Sequence, residues 1–382
     1  MGKTIKIMKK NKIIISANVL FTITNFRRNL IEFLLDKNYE IVCVANNDEL
    51  SNTSMQILKD LKIRFIKVNI SRKGMNPIED IKYLMKLVKI YKNEKPNLIM
   101  HFTIKPNIYG TIASKIAGVP SINTINGLGS AIIKENFLSK ILKYLYKFSL
   151  IFSKKVFFQN NDDLDFFVDN KLVNKNKTGI VPGSGVDTKT FSDCTSVNNE
   201  LTFLLVSRLL KDKGIYEYIG AIKNLKQQGI QCKFLLAGQF DFGNPSAITK
   251  EEVKEWEDAS ITKFLGKTDK IKEFLKMADI IVLPSYREGL SRVLIEAASA
   301  SKPIITSNVA GCKDVVDDGV NGYLCEVKST QSLQNCIQKM FQLSNRERVI
   351  MGVNSKQIAV KRFDKDRVNE IYFKEIEKIC FM

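Results

Sequence analysis

The chain has 382 residues, 45% of them hydrophobic and 26% charged, so it is long enough for two globular domains and its composition excludes a disordered protein. His101 is the single histidine, which excludes a histidine-rich metal site, and the seven cysteines have no Cys-x-x-Cys spacing, so we expect reduced thiols in a cytoplasmic protein. The net charge of +19 is concentrated in residues 1–190, where 31 basic and 15 acidic residues leave +16, and this scarcity of acids predicts that the first half faces an anionic partner.

Short apolar segments alternate with amphipathic helical patterns along the whole chain. Strands are predicted at residues 12–16, 40–45, 63–68, 97–102, 120–125 and 155–159, and again at 201–207, 232–238, 261–266, 279–284 and 302–306. Helical patterns, such as those of residues 25–37 and 78–92, separate them. Continuous apolar strands joined by helices are typical of parallel sheets covered on both faces. We therefore predict an α/β fold with two doubly wound Rossmann-like domains that face each other across a cleft.

The division between the domains is predicted inside residues 181–200, which are rich in proline, glycine and small polar residues. The expected boundaries are residues 1–185 for the first domain, 186–362 for the second, and 363–382 for a C-terminal helix that packs back on the first. Because ligands bind at the carboxyl ends of the strands in such sheets, candidate site residues are those that directly follow a strand.

The sequence SRLLKDKG at residues 207–214 follows the first strand of the second half. It places Arg208, Lys213 and a glycine at a strand-to-helix turn, where helix-start N–H groups add partial positive charge. This combination favours a phosphate-binding turn, although a solvated basic loop would have the same composition.

The sequence EGLSRVLIE at residues 288–296 follows another predicted strand. Glu288 lies in the loop, Gly289 allows close backbone approach, and the amides from Gly289 to Val293 are expected to be free helix-start donors. Glu288 can accept hydrogen bonds from sugar hydroxyls, and Glu296 can reach a vicinal diol such as a ribose. A plain surface helix with an N-terminal acid would explain Glu288 but not Glu296 in its apolar surroundings.

These two segments, together with GCKDVVDDGVNGYL at residues 311–324, resemble the family 4 retaining nucleotide-sugar glycosyltransferases of the GT-B fold. The resemblance extends over nearly the whole chain. In the first half, the segments at 25–31, 71–77, 101–110 and 125–130 resemble one branch of that family, whose members include a bacterial transferase that adds N-acetylgalactosamine to undecaprenyl diphosphate-linked bacillosamine.

The resemblance implies a donor site for a UDP-sugar in the second domain, with no metal and no further cofactor. Arg208 and Lys213 would neutralise the leaving diphosphate, and Glu288 would contact the donor sugar; these three are the predicted catalytic residues. The other predicted donor-binding groups are the Glu296 carboxylate at the ribose, the backbone amides of Gly289, Leu290 and Ser291, and Leu265 and Gly266 near the base. Many relatives have a different tripeptide at 289–291, which affects the choice of sugar more than the reaction.

The resemblance also implies an acceptor site in the first domain, formed by Arg72, His101, Thr103, Lys105, Asn107 and Asn126. Many family members have a histidine where this chain has Asn126, and asparagine cannot act as a general base at neutral pH. In the mechanism implied for this family the diphosphate oxygen takes the proton of the acceptor, so no protein base is required. His101 ends a predicted strand and would lie near the cleft, unless it is simply packed there.

Residues 134–155 have an amphipathic helical pattern in which Lys140, Lys143, Lys147 and Lys154 lie within about 60° of one another. Such a helix can lie on an anionic membrane surface or can be an ordinary core-facing helix with solvated lysines. The Asp-Leu-Asp sequence at 163–165 resembles a metal motif of another glycosyltransferase fold, but its position at a helix start favours capping.

The function predicted from these features is retaining transfer of a sugar, favoured as an N-acetylhexosamine, from a UDP-sugar to a polyprenyl diphosphate-linked saccharide. The protein would be peripheral on the cytoplasmic face of the inner membrane. Transfer to a lipopolysaccharide core or a soluble acceptor is the alternative enzymatic function. A basic nucleic-acid-binding protein is the alternative from another class, although no basic-aromatic or helix-turn-helix pattern supports it.

Overall fold

The computed structural model describes residues 11–381 apart from 49–50, 71–75, 130–131, 133–135, 195–199 and 269. It divides into two units, one formed by residues 1–185 and 365–382 and the other by residues 186–364. Each unit contains a parallel sheet, which confirms the predicted α/β class. Within the described ranges, no helix combines the length and the apolar character that a membrane span requires.

The first unit is built on a seven-stranded sheet with the order β3-β2-β1-β4-β5-β6-β7. Its strands are β1 (Lys12–Val19), β2 (Glu40–Asn46), β3 (Arg64–Lys67), β4 (Leu98–Phe102), β5 (Ser121–Ile125), β6 (Lys155–Phe158) and β7 (Thr178–Ile180). Its α-helices are α1 (Leu20–Phe26), α2 (Arg28–Asp36), α3 (Ser51–Asp60), α4 (Pro77–Glu94), α5 (Thr111–Ala117), α6 (Phe137–Leu150), α7 (Asn161–Asp169) and, after the second unit, α14 (Lys365–Phe381). A π-helical segment, Pro106–Gly110, precedes α5.

The strands of the first unit are apolar throughout because both faces of its sheet are covered. In β1, Ile13 and Ile15 face the core shared with α1, α2 and α14, whereas Ile14 faces the core shared with α4 and α5. The same alternation places Val156 of β6 against α6 and α7. The C-terminal helix completes the first of these layers through buried Tyr372, whose hydroxyl lies 3.0 Å from Thr124 Oγ1, so the predicted return of this helix is confirmed.

The second unit repeats the scheme with a six-stranded sheet in the order β10-β9-β8-β11-β12-β13. The strands are β8 (Thr202–Val206), β9 (Lys233–Ala237), β10 (Lys263–Phe264), β11 (Ile280–Leu283), β12 (Ile304–Ser307) and β13 (Gly322–Cys325). The helices are α8 (Ile215–Gln227), α9 (Lys250–Asp258), α10 (Ile271–Lys276), α11 (Arg292–Ser299), α12 (Thr330–Gln342) and α13 (Asn345–Phe363), with 3₁₀ turns at Thr188–Phe191 and Lys211–Lys213. Successive strands are added on one side of β8 up to β10 and on its other side from β11 onward. Doubly wound sheets bind ligands at this switch point, between β8 and β11.

Candidate functional site

Two loops at the carboxyl ends of adjacent strands meet in the second unit. The turn after β8 carries Lys213, and the loop after β11 carries Glu288. Lys213 Nζ lies 2.6 Å from Glu288 Oε1, and both side chains are largely buried, with 13% and 19% of their surface exposed. A charge-assisted hydrogen bond in this setting fixes both groups more firmly than a surface ion pair would. The structure therefore brings together two of the three predicted catalytic residues.

Backbone and side-chain hydrogen bonds join the same two loops. The Asp212 carbonyl accepts the Tyr286 N–H at 2.8 Å and the Ser285 hydroxyl at 3.2 Å. The Tyr286 hydroxyl donates to Glu217 Oε1 on α8 at 2.7 Å. The pKa of Tyr286 is raised, chiefly by burial and to a smaller extent by the Glu217 carboxylate. The hydroxyl therefore stays protonated and remains a hydrogen-bond donor. These contacts fix the loop that carries Lys213 against the loop that carries Glu288. None of them was predicted from the sequence.

Two glycines permit the close approach of these loops. Gly214 has φ +73°, and a Cβ placed on it would lie 2.0 Å from the Pro284 carbonyl oxygen. Gly311 has φ +75°, and its Cβ would lie 2.4 Å from the Glu288 carbonyl oxygen. Both positions combine a left-handed backbone with contacts too short for any side chain. Each glycine therefore positions a loop that carries a candidate catalytic group.

Arg208, the third predicted catalytic residue, has a different partner. Its Nη1 lies 3.0 Å from Asp241 Oδ2, and 61% of its side chain is exposed. An exposed ion pair of this kind contributes little stability, so the guanidinium can exchange Asp241 for another anion at low cost. Asp241 follows β9 and was not identified from the sequence, because its pairing with Arg208 joins residues 33 positions apart.

The start of α11 differs from the expectation that its amides are free. Ser291 N–H donates to the Gly311 carbonyl at 2.9 Å, and the Ser291 hydroxyl accepts a hydrogen bond from Leu294 N–H. The Ser291 amide is therefore not available to a ligand, which corrects that part of the prediction. Among the described residues, the Leu290 N–H has no hydrogen-bond partner. The amide of Gly289 was also predicted to bind the donor, and Gly289 lies between Glu288 and Leu290.

Glu296 has a partner that the sequence argument did not include. Its carboxylate lies 2.7 Å from Arg292 Nε, one helical turn earlier, and only 8% of its side chain is exposed. Burial raises the pKa of Glu296, while the Arg292 guanidinium opposes that shift. The ion pair supplies a structural reason for an acid in this apolar helix and leaves room for a second role of its carboxylate.

Leu265 and Gly266, predicted to lie near the base, follow β10 at the same sheet edge. Leu265 N–H donates to the Leu236 carbonyl, and the Gly266 carbonyl accepts Gly238 N–H, both at 2.9 Å. Since β10, β9, β8 and β11 are consecutive neighbours, these residues and Glu288 lie along one edge of the sheet. These predicted donor residues thus lie along a single row of strand ends, whereas Glu296 lies within α11.

In the first unit, the structure places His101 in the packed interior, which corrects the expectation that it contacts an acceptor. Its side chain is entirely buried, with Nε2 3.2 Å from the Tyr91 hydroxyl and Nδ1 3.5 Å from Thr111 Oγ1. Burial lowers the pKa of His101 to about 3, so the ring is neutral at physiological pH.

Because His101 is the only histidine, its titration predicts a pH dependence of stability. Above pH 6.5 the ring is neutral in the folded and in the unfolded protein. Between pH 6.5 and about 3 only the unfolded protein binds the proton, so the free energy of unfolding falls as the pH falls. Lowering the pH from about 7.5 to about 5 is expected to remove about 2 kcal/mol by this route. Calorimetric Tm values for wild type and His101→Gln at both pH values test this. An equally acid-sensitive variant would contradict the assignment.

Asn107 is also buried, contrary to its predicted role in acceptor binding. Its amide nitrogen donates to the Thr124 carbonyl at 2.8 Å, and its Oδ1 accepts from the Asn123 side chain at 3.0 Å. Asn126, by contrast, is half-buried and accepts a hydrogen bond from Arg27 Nη2 at 3.1 Å. The Arg27 guanidinium lies 4.2 Å from the centre of the Phe102 ring and is buried. This pair suits an orienting role for Asn126, and Arg27 was not predicted to take part.

Thr103 and Lys105 remain partly accessible in the structure. Thr103 has φ +71°, and its hydroxyl accepts the Asn18 N–H at 3.0 Å. Lys105 Nζ lies 2.7 Å from Asp80 Oδ1, and the Tyr109 hydroxyl donates to the other oxygen of Asp80 at 2.9 Å.

Asp80 also lines a cavity, which has a volume of about 420 Å³ and lies within the first unit. Its other lining residues are Asn46, Asn69, Ile70, Glu79, Lys82, Tyr83 and Lys86. Arg72, the remaining predicted acceptor residue, lies outside the described residues.

The Asp-Leu-Asp segment lies at the start of α7, as predicted, but the residue that caps this helix is Asn160. Asn160 accepts the Asp163 N–H at 2.8 Å at the start of α7, and its own amide donates to the Asp163 carboxylate. Across the part of the chain that the structure describes, no group of three or more His, Cys, Asp and Glu side chains has the geometry of a metal site.

The two units match two glycosyltransferase family models. Residues 12–160 match the model described as "Glycosyl transferase 4-like", and residues 187–357 match "Glycosyl transferases group 1". The second region contains Arg208, Lys213, Glu288 and Glu296.

Among curated relatives, the chain is 26% identical to an N,N'-diacetylbacillosaminyl-diphospho-undecaprenol alpha-1,3-N-acetylgalactosaminyltransferase of Campylobacter jejuni, over 94% of this chain and 96% of that one. It is 25% identical to a UDP-Gal:alpha-D-GlcNAc-diphosphoundecaprenol alpha-1,3-galactosyltransferase of Escherichia coli, over 78% and 81% of the two chains. A solved glycosyltransferase from Rickettsia africae has the same fold, with a TM-score of 0.79 at 17% identity over 97% and 99% of the chains. The chain therefore belongs to the group 1 and 4-like glycosyltransferases and is a glycosyltransferase of the GT-B fold.

Proposed function

We propose that the protein transfers a sugar, an N-acetylhexosamine, from a UDP-sugar to a saccharide linked to a polyprenyl diphosphate, with retention of the anomeric configuration. The observation that carries the proposal is the Lys213–Glu288 pair, held at the carboxyl ends of β8 and β11 in the region that matches the group 1 model. A cation beside a carboxylate suits a donor whose leaving group is a diphosphate and whose sugar carries hydroxyl groups.

The proposed reaction uses these groups as follows. The bond between the sugar C1 and the phosphate oxygen breaks while the acceptor hydroxyl oxygen attaches to C1 on the same face. The acceptor proton moves to the departing diphosphate oxygen, so no protein base is required. Lys213, joined by Arg208 after release from Asp241, offsets the negative charge that grows on the diphosphate. Glu288 contacts the sugar, and Glu296 contacts the ribose.

The proposed acceptor follows from the relatives and from the first unit. Both relatives described above are named for transfer to undecaprenyl diphosphate-linked sugars, and both names specify an alpha-1,3 linkage. The first unit supplies a cavity lined by both signs of charge: Lys82 and Lys86 can pair with a diphosphate, and the Glu79 carboxylate can accept hydrogen bonds from saccharide hydroxyls. Asn126, fixed by Arg27, would orient the attacking sugar.

A donor and acceptor screen tests this function. The purified protein is incubated with a panel of UDP-sugars and either a polyprenyl diphosphate-linked saccharide or the same saccharide without lipid and diphosphate, and products are read by mass spectrometry. We expect one sugar to be added to the lipid-linked acceptor with release of UDP. Transfer to the free saccharide alone would support the soluble-acceptor alternative, and a lack of transfer from every UDP-sugar would contradict the proposal.

The two glutamates are expected to give different kinetic signatures. Glu296→Gln should raise KM for the donor by about tenfold with little change in kcat, because the ribose changes little during transfer. Glu288→Gln should chiefly lower kcat, because the sugar becomes cationic only in the transition state. Steady-state kinetics and direct titration of UDP binding check this division. The two variants having the same signature would count against the assigned roles.

A further inference from the structure

Three neighbouring helices of the first unit present one continuous outer surface. α4, α5 and α6 cover the same face of the sheet, since the residues beneath them, including Ile14, Ile99 and Val156, lie on that face, and α5 contacts both of the others. We call the exposed side of these helices the lysine–apolar surface.

The lysine–apolar surface exposes large hydrophobic side chains on each of its helices. Met85 on α4, Ile116 on α5, and Tyr144 and Phe148 on α6 all project from it, with 70% of Tyr144 and 44% of Phe148 exposed. A single exposed apolar residue is ordinary, but a group spread across adjacent helices is typical of an interaction surface.

The charge on the lysine–apolar surface is almost all positive. Within the described residues of α4, α5 and α6, seven lysines and one acid, Glu79, are exposed. The remaining acids of these helices are not exposed: Asp80 is buried, and half-buried Glu94 pairs with Lys12 and Arg64. An apolar surface with this charge attracts an anionic partner and repels a cationic one.

On α6 the exposed lysines and the exposed aromatic residues form two adjacent rows. At about 100° per residue, Lys140 and Lys147 lie about 20° apart in one row, and Tyr144 and Phe148 lie about 40° apart in the next row. Leu142 and Tyr146 are buried on the opposite side of the helix. Lysines beside an exposed aromatic row form the pattern of a helix that rests in a membrane interface, with rings at headgroup depth and amines at lipid phosphates.

The lysine–apolar surface also borders the cavity of the first unit. Lys82 and Lys86 line that cavity, and both are exposed on α4 beside Met85. A lipid-linked saccharide held at a bilayer beneath this surface would therefore have a short path to the cavity.

We propose that the lysine–apolar surface docks the protein on an anionic lipid bilayer, with Tyr144 and Phe148 entering the interface and the surrounding lysines contacting lipid phosphates. The proposal deepens the function given above and rests on it for the lipid-linked acceptor, although the exposed side chains that carry it are independent of any acceptor. A second copy of this chain or a protein partner on the same surface is the alternative that the experiment must separate.

Vesicle co-sedimentation, without donor or acceptor, tests the proposal. The lipids are phosphatidylcholine alone or phosphatidylcholine mixed with phosphatidylglycerol. We expect wild type to bind only the anionic vesicles and to be released by salt. Lys140→Gln/Lys147→Gln and Tyr144→Ser/Phe148→Ser should each weaken binding about tenfold.

Matched variants in the second unit serve as controls. Lys223→Gln/Lys233→Gln removes the same charge from exposed positions, and Val349→Ser/Ile350→Ser removes exposed apolar side chains. Both should bind like wild type. Insertion is read separately in Tyr144→Trp with brominated lipids, because the natural tryptophan, Trp256, is buried in the second unit. Quenching should appear in Tyr144→Trp and be absent from wild type.

Three results would overturn the proposal: surface variants that sediment like wild type, control variants that lose binding equally, or Tyr144→Trp fluorescence that brominated lipids leave unchanged. Loss of self-association in the Tyr144→Ser/Phe148→Ser variant, with unchanged vesicle binding, would assign the surface to a contact between copies. Transfer to a short, water-soluble diphosphate-linked acceptor is measured on the same preparations. Failure of that transfer would refute the proposed function, whereas failure of vesicle binding would refute only the docking surface.

Discussion

Replacing Lys213 by alanine is expected to lower kcat/KM for glycosyl transfer by about 10²-fold or more, since the ammonium group stabilises charge that develops on the leaving diphosphate. The effect should fall mostly on kcat. Arg208→Ala should act in the same direction, because its exposed guanidinium can leave Asp241 for the diphosphate. The measurement is steady-state transfer kinetics, with near-ultraviolet circular dichroism to establish that each variant is folded.

Lys211→Ala is the matched control for Lys213→Ala. Lys211 lies in the same 3₁₀ turn, is exposed, and has its Nζ 5.6 Å from the centre of the Tyr216 ring rather than beside Glu288. Its removal should change kcat/KM less than about threefold, because an exposed charge is screened by solvent. Equal losses in the two variants would mean that general basic charge near the turn matters, and not the group paired with Glu288.

Gly214→Ala is expected to reduce the free energy of unfolding by about 3 kcal/mol and to reduce transfer strongly as well. The left-handed backbone costs an alanine about 1–2 kcal/mol, and relieving the 2.0 Å contact with the Pro284 carbonyl requires the two loops to separate. Separation would move Lys213 away from Glu288. Urea titration followed by Trp256 fluorescence reports this unit, because Trp256 lies in its core.

Gly266→Ala separates the conformational contribution from the steric one. Gly266 has φ +75°, nearly the same as Gly214, but a Cβ there would meet nothing within 4 Å. Its alanine variant should lose only about 1 kcal/mol. If the two variants were equally stable, the close approach of the Lys213 and Glu288 loops would have no energetic consequence, and the account of how they are held would be wrong.

Most of the fold follows from apolar patterning, because strands buried on both faces must be continuously apolar. Residues 202–206 and 280–283, which position Lys213 and Glu288, were predicted as strands to within two residues at each end. β7 and β13 were not predicted: they are three and four residues long, and β7 is only half-buried, so neither has a strong apolar signal.

The site was less predictable, because its partners are distant in sequence. Residue type and position after a strand identified Lys213 and Glu288, but their contact spans 75 positions and the Arg208–Asp241 pair spans 33. His101, by contrast, was predicted to be a site residue and is instead part of the packed interior. It is the penultimate residue of β4, and the sequence argument placed it at the ligand-binding end of the sheet. In the structure His101 pairs with Ser16 of β1 on one side and with Asn123 of β5 on the other, so its ring is packed inside, under α4 and α5.

The central claim, retaining transfer from a UDP-sugar at the Lys213–Glu288 site, is tested most directly by the anomeric configuration of the product. The wild-type product is isolated and the new glycosidic linkage is determined by proton NMR, with Lys213→Ala run in parallel. We predict a linkage with the same configuration as the donor sugar, formed at least about 10²-fold more slowly by the variant. An inverted linkage, or a variant as fast as wild type, would contradict the account.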